Sequence, residues 1–126
     1  MSIELTVVPE ADNIRLTLHE ELGLRLGRKG WHWEDYVTAP YIILNLESVY
    51  ELIKGIGIMT NATTDKHFLT LCDDDRANNS LELKGSGENA ELSITSTRYG
   101  KSRKLSKVVY LPSLLGQVGS AVSDCK

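Results

Sequence analysis

The sequence predicts an α+β protein, with antiparallel sheet structure and two helices packed on one face. Several stretches alternate apolar with polar residues, which is typical of half-buried strands, and two stretches repeat apolar residues at helical spacing. Each helical stretch follows a set of strands, so the chain is also compatible with a duplicated strands-then-helix unit. The 126 residues are predicted to form a single domain, in which the duplicated halves would be about 1–60 and 61–126.

The first half opens with a predicted β-hairpin. Residues 3–7 and 14–18 place apolar side chains at every second position on either side of the polar turn PEADN. The alternation continues over residues 22–26. The segment YIIL at 41–44 then predicts a short buried strand or the approach to a helix.

A helix is predicted directly after this segment. Its apolar stripe has helical spacing and consists of Leu46, Val49, Tyr50 and Ile53. Asn45 is a suitable N-cap, and Lys54 followed by Gly55 is typical of a C-terminus. The predicted helix therefore ends near Gly55.

The second half repeats this order of elements. Four strands are predicted from the segments HFLTLC, SLELKG, AELSITSTR and KLSKVVYL, which polar or glycine-containing turns separate. Pro112 then begins a second helix, in which Gly116 and Gly119 each cost roughly 1 kcal/mol relative to alanine, so tertiary packing must hold it. The strand–helix junctions of the two halves match at a shift of 65 residues, ILNLESVYELI at 43–53 against VVYLPSLLGQV at 108–118.

The composition is that of an ordinary globular protein, with 41% hydrophobic and 25% charged residues. No apolar run approaches the roughly 20 residues of a membrane span, and the N-terminus lacks the pattern of a secretory leader. Both observations predict a cytoplasmic protein without membrane contact, in which Cys72 and Cys125 are reduced thiols. The sequence contains no cofactor motif and no metal-ligand spacing, so neither a cofactor nor a metal is expected.

The sequence offers no catalytic constellation. It has no GxSxG motif, and His19, His32 and His67 stand alone. The segment GKS at 100–102 resembles the end of a phosphate-binding loop, but Thr95 stands where that motif needs glycine. The chain is therefore predicted not to be an enzyme, unless a site assembles only in three dimensions.

Charge is distributed unevenly along the chain. The net charge is −3, but residues 98–126 carry +5 and residues 1–97 carry −8. An acidic body argues against a protein that coats DNA, because such affinity depends on neutralising phosphates. It favours a partner with a basic surface.

Two acidic segments, one of them aromatic, are the candidates for a protein-binding surface. The candidate residues are Trp31, Trp33, Glu34, Asp35, Asp73, Asp74 and Asp75. In a strand, Trp31 and Trp33 would share one face, so the pair could equally form part of the core. The three consecutive aspartates could bind a cation, but a solvated turn or an acidic contact surface is the preferred interpretation.

The basic segment is the alternative site. A hairpin over 98–107 would combine cations that bind phosphates with an aromatic ring that stacks on bases. Its candidate residues are Arg98, Tyr99, Lys101, Arg103, Lys104 and Lys107. The simpler interpretation, which the sequence alone favours, is a solvated hairpin whose lysines deter edge pairing.

These patterns predict a small non-enzymatic protein-binding module, such as an immunity, antitoxin or inhibitor protein that neutralises a basic partner, for example a toxin or nuclease. The alternative is a protein that binds single-stranded nucleic acid through the basic hairpin. The order of strands and helices is loosely similar to several single-strand nucleic-acid-binding folds, which is a likeness of fold alone. The oligomeric state is left open, with a dimer as one option.

Overall fold

The computed structural model describes residues 3–20 and 39–125. Within these ranges the chain forms two antiparallel sheets and two helices, which confirms the predicted α+β class. The elements are β1 (Ile3–Glu10), β2 (Asn13–Glu20), β3 (Tyr41–Leu44), α1 (Leu46–Thr60), β4 (Lys66–Leu71), β5 (Asn78–Ser86), β6 (Asn89–Arg98), β7 (Lys101–Tyr110) and α2 (Leu111–Asp124). The first sheet has the strand order β1-β2-β3 and the second β4-β5-β6-β7.

The connection between β6 and β7 is a tight two-residue turn. Arg98 pairs with Lys101, which leaves Tyr99 and Gly100 as the turn, with φ of 51° and 74°. Positive φ at both central positions is the type I′ geometry, whose twist matches that of antiparallel strands. The turn is therefore shorter than the predicted segment YGKS, since Lys101 and Ser102 already belong to β7.

One hydrophobic core joins both sheets and both helices. Inward-facing side chains of the central strands, such as Leu16, Leu81 and Leu92, are fully buried. The register explains this burial, because Leu81 lies opposite Ile94 and Leu83 opposite Leu92 on one face of the second sheet. Residues at the alternate positions point away from the core, and of these Ser93 is 3% exposed.

The first helix differs from its prediction in length and in orientation. Asn45 caps it as predicted, its Oδ1 accepting the Ser48 N–H at 2.8 Å. The helix does not end at Gly55 but continues to Thr60, and its buried face consists of Val49, Leu52, Ile56 and Met59. Leu46 and Tyr50, which the predicted stripe placed in the core, are exposed. The position of the sheets decides which of two overlapping apolar stripes is buried.

The extension through Gly55 has a packing reason. A Cβ at this position would lie 2.8 Å from Cδ1 of Phe68, closer than real contacts allow. Gly55 therefore lets the Phe68 ring lie against the helix backbone, and it does not end the helix.

Gly55→Ala and Gly57→Ala are expected to change stability in opposite directions. At Gly57 a Cβ would meet nothing within 4 Å, so alanine gains helix propensity and raises the free energy of unfolding by about 1 kcal/mol. At Gly55 the Phe68 ring has to move, so the free energy of unfolding is expected to fall by about 1 kcal/mol. Urea denaturation of both variants measures the difference. Equal effects would mean that Phe68 moves at no cost.

The second helix begins at Leu111 with Pro112 in its first turn, as predicted. Its buried residues are Leu111, Leu114, Val118 and Ala121, while a Cβ at Gly116 or Gly119 would meet nothing within 4 Å. Packing of the apolar face therefore holds this helix. The two helices begin at Leu46 and Leu111, which the shift of 65 residues relates, although the single-domain assignment and the duplication stay predictions.

In the described ranges, neither helix is long and apolar enough to span a membrane.

Candidate nucleic-acid interface

The outward face of the second sheet is rich in hydroxyl groups. Alternation along β5, β6 and β7 places Ser80, Ser93, Thr95, Thr97, Ser102 and Ser106 on this face, which we call the hydroxyl face. Ser93 shares a 2.7 Å hydrogen bond with Ser106, and Thr97 shares one of the same length with Ser102. Each hydroxyl can both donate and accept, so the face suits a polar ligand.

Tyr99 stands at the tip of the β6–β7 hairpin next to this face. Its side chain is 99% exposed, and its backbone has a positive φ of 51°. This left-handed conformation costs a residue with a Cβ roughly 1 kcal/mol, and asparagine or glycine would adopt it more readily. The fold thus holds an aromatic ring in water at a position that suits a smaller residue.

Two exposed lysines lie near the turn, on opposite faces of the hairpin. Lys104 lies opposite Thr95 on the hydroxyl face, whereas Lys101 pairs with Arg98 and lies on the inner side. Neither forms an ion pair with another described residue. Their ammonium groups are therefore available to an anionic ligand.

The remaining basic residues of the predicted site share the inner side of the hairpin with Lys101. Arg103 forms an ion pair with Glu20 at 3.4 Å, and Lys107 Nζ donates to the Ile3 carbonyl at 2.8 Å. The Arg98 guanidinium lies 5.1 Å from the centroid of the Tyr41 ring. The strand period explains why Lys104 lies on the opposite face, because alternate residues of β7 point to opposite faces. These three cations join the hairpin to the first sheet.

Comparison with known proteins identifies a likeness of fold. No protein-family model and no curated protein sequence matches the chain. A solved structure described as "Structure of a guideRNA-binding protein complex bound to a gRNA" is similar, with a TM-score of 0.53 and 11% sequence identity. The likeness covers 98% of this chain and 92% of that chain. At this identity it concerns the fold alone.

Among the three consecutive aspartates, Asp74 uses both carboxylate oxygens for hydrogen bonds within the chain. Its Oδ1 accepts the N–H groups of Arg76 at 2.7 Å and Ala77 at 2.9 Å, which closes the turn between β4 and β5. Its Oδ2 accepts the Tyr41 hydroxyl at 2.6 Å. Asp73 and Asp75 remain exposed on either side. Only these two are fully available to a partner.

The pKa of Asp74 reflects these contacts. Partial burial acts to raise the pKa, but the hydrogen bonds from Tyr41, Arg76 and Ala77 and the nearby Arg98 outweigh it, so that the pKa lies below its ordinary value. Burial, together with the hydrogen bond to this carboxylate, raises the pKa of the Tyr41 hydroxyl. The hydroxyl therefore stays a donor and the carboxylate an acceptor.

Tyr41 connects the two sheets through hydrogen bonds, a role that the sequence analysis missed. Its side chain is 4% exposed, with the Arg15 guanidinium 4.2 Å from the ring centroid. Its backbone N–H donates to Ser96 Oγ at 2.9 Å, and that hydroxyl donates back to the Tyr41 carbonyl at 3.0 Å. The partners lie 33 and 55 residues away in sequence, so no local pattern signals the contact.

Of the described residues, His19, His67 and Cys72 do not assemble into one site. His19 shares a 2.7 Å hydrogen bond with Thr6, and burial lowers its pKa. His67 Nε2 donates to Glu82 at 2.8 Å, which lowers the pKa of that carboxyl group. The Cys72 thiol donates to the Ile43 carbonyl at 2.8 Å, and burial raises its pKa, so it is not an activated nucleophile. Cys72 and Cys125 are both free thiols.

The first sheet has a depression of about 630 Å³ on its outward face. Its lining residues are Glu4, Thr6, Val8, Glu10, Arg15, Thr17 and His19. Both signs of charge are present, and Arg15 already pairs with Glu10 at 3.5 Å. This surface is less suited to a polyanion than the hairpin, whose Lys101 and Lys104 form no ion pair with another described residue.

Part of the predicted partner-binding surface lies outside the described residues. This applies to Trp31, Trp33, Glu34 and Asp35, and also to His32 and the alternating segment at 22–26.

Proposed function

We propose that the chain binds single-stranded nucleic acid through the tip of the β6–β7 hairpin and the adjoining hydroxyl face. The observation that carries the proposal is Tyr99. A fully exposed ring at a left-handed position contributes nothing to the core and costs backbone energy. Stacking on an unpaired base would account for it, and each such stack contributes about 1–3 kcal/mol.

The surroundings of the ring suit a polynucleotide backbone. Lys101 and Lys104 offer cations for phosphates, and the hydroxyls of Thr95, Thr97 and Ser102 can donate to phosphate or sugar oxygens. Such contacts do not read sequence. Binding is therefore expected to prefer single strands, tolerate many sequences and weaken with salt.

RNA is a natural first ligand to test, because the similar solved structure is described as a guide-RNA-binding protein complex bound to a guide RNA. At 11% identity that description does not extend to this chain. The proposal rests on the hairpin.

Lys104→Glu is expected to weaken binding to a labelled single strand about tenfold and to reduce the slope of log affinity against log salt by about one. The matched control is Lys54→Glu, which makes the same charge change on an exposed position of α1 and is expected to change affinity less than about twofold. Fluorescence anisotropy at low salt, with single-stranded RNA, single-stranded DNA and a duplex, measures both effects. Absence of wild-type binding, or equal losses in the two variants, would refute the proposal. Arg103 is a poorer choice, since its substitution also breaks the ion pair with Glu20.

The expectation of a protein-binding module for a basic partner stays a prediction. Its support lies in the exposed carboxylates of Asp73 and Asp75, which follow the exposed Leu71 in the chain. Affinity capture with and without nuclease distinguishes the two functions. A stoichiometric protein that survives nuclease and is lost with Asp73→Lys/Asp75→Lys would favour protein binding. The cytoplasmic location and the absence of catalysis stay predictions as well.

A further inference from the structure

Strand β4 is an open edge of the second sheet. Among the described residues it pairs with β5 alone, on one side. The Cys72 N–H donates to the Asn79 carbonyl of the β5 side at 2.9 Å. Because antiparallel strands alternate in direction, the backbone groups of Thr70 also face β5, whereas those of Leu69 and Leu71 face the open side. A row of backbone donors and acceptors is therefore available to another strand.

The side chains at this edge are unusual for an unpaired strand. Leu69 and Leu71 point outward and are 52% and 69% exposed. Edge strands are commonly protected by proline, a bulge or inward-pointing charges, because a flat apolar edge pairs with other chains. The segment KHFLTL has no proline, and its pairing with β5 is regular throughout.

We propose that β4 pairs with β4 of a second copy of this chain, antiparallel across a two-fold axis at Thr70, so that the two four-stranded sheets become one sheet of eight strands. Thr70 then lies opposite its own copy. Leu69 lies opposite Leu71 of the second copy, and the four leucines form one apolar cluster on the outward face.

Charge complementarity selects a second copy as the occupant. The strand begins with Lys66 and His67 and is followed by Asp73, so two antiparallel copies bring the basic start against the acidic end. In the proposed register His67 lies opposite Asp73 of the second copy, on the same face as the leucines. A register shifted by two residues would pair Leu69 with itself and place His67 opposite Leu71, without a polar partner. The turn at Asp74 ends the matched segment.

This interface lies at the edge of the sheet farthest from the β6–β7 hairpin. Self-association and nucleic-acid binding are therefore separate properties, and either can fail without the other.

Sedimentation equilibrium over roughly 5 to 500 µM protein is expected to show a reversible monomer–dimer equilibrium. Leu69→Lys is expected to raise the dissociation constant at least about tenfold, because it removes apolar contact and opposes two cations within one cluster. The control is Val108→Lys, an exposed apolar position (68%, against 52% for Leu69) on the same face at the opposite edge, which is expected to leave the constant unchanged. A monomer throughout this range, or equal effects of the two variants, overturns the proposal.

Two further variants test the register. Asp73→Lys is expected to weaken the dimer about tenfold, and His67→Lys, which sets a permanent cation opposite Asp73 of the second copy, is expected to tighten it. With Cys72 and Cys125 replaced by serine, Thr70→Cys is expected to form a disulfide-linked dimer on mild oxidation, since the two residues face each other across the axis. A dimer in which Thr70→Cys stays unlinked belongs to another surface and equally overturns the proposal.

Discussion

Replacing Tyr41 with alanine is expected to lower the free energy of unfolding by about 4 kcal/mol. The ring is buried between the two sheets, with the guanidinium of Arg15 packed against it. Truncation removes that packing and leaves the Asp74 carboxylate without its hydroxyl donor. Guanidinium denaturation followed by circular dichroism measures the loss.

A double-mutant cycle separates the hydroxyl from the ring. Tyr41→Phe keeps the ring and the backbone bonds to Ser96 and is expected to cost only about 1 kcal/mol. Combined with Asp74→Asn, it is expected to give a coupling energy of about 1 kcal/mol. Asp75→Ala, at an exposed neighbouring position, is the control and is expected to change stability by less than about 0.5 kcal/mol. Because asparagine can still accept the hydroxyl, additive effects of Tyr41→Phe and Asp74→Asn would show that the charge of the carboxylate adds nothing to the 2.6 Å hydrogen bond.

The same contact predicts a pH dependence. Because the pKa of Asp74 is lower in the folded chain than in the unfolded chain, its carboxylate stabilises the fold fully above the unfolded value of about 4. That contribution is lost as the pH falls through the folded-state pKa. Wild type and Asp74→Asn should therefore differ most in stability near neutral pH and converge in strong acid.

Tyr99→Asn is expected to move stability and binding in opposite directions. Asparagine adopts a positive φ more readily than tyrosine, so the free energy of unfolding is expected to rise by about 0.5–1 kcal/mol. Loss of the stacking ring is expected to weaken binding to a single strand about tenfold or more. Thermal unfolding and fluorescence anisotropy measure the two effects on the same protein preparation.

Tyr50→Asn serves as the control for this substitution. Tyr50 is an exposed ring on α1, away from the hairpin, so its loss is expected to leave binding unchanged. Asparagine within a helix is also expected to lower stability by a few tenths of a kcal/mol, the opposite of its effect at the turn. A Tyr99→Asn variant that is more stable and binds normally would show that Tyr99 has no role in binding.

Most of the secondary structure could be predicted because it depends on local patterns. The strand period and the turn residues located the hairpins, and Asn45 and Pro112 located the two helix starts. The end of α1 could not be predicted, since Gly55 is a typical C-terminal signal. Only the packing of Phe68 against the helix backbone explains why the helix continues there.

The candidate site was predicted as a list of residues and not as a surface. Arg98 to Lys107 read as one basic hairpin, but the turn at Tyr99 and Gly100 sets which residues share a face. Lys104 then belongs to the hydroxyl face, whereas Arg103 and Lys107 bind the first sheet.

The sequence by itself determined the strands, most turns and the helix starts, because these depend on interactions between residues a few positions apart. The tertiary structure alone decided which stripe of α1 is buried, that Asp74 holds Tyr41 across 33 residues, and that β4 has an open edge. Those properties depend on how separate elements meet. The same local pattern is compatible with many long-range contacts, and the packing of the two sheets around one core decides which contacts form.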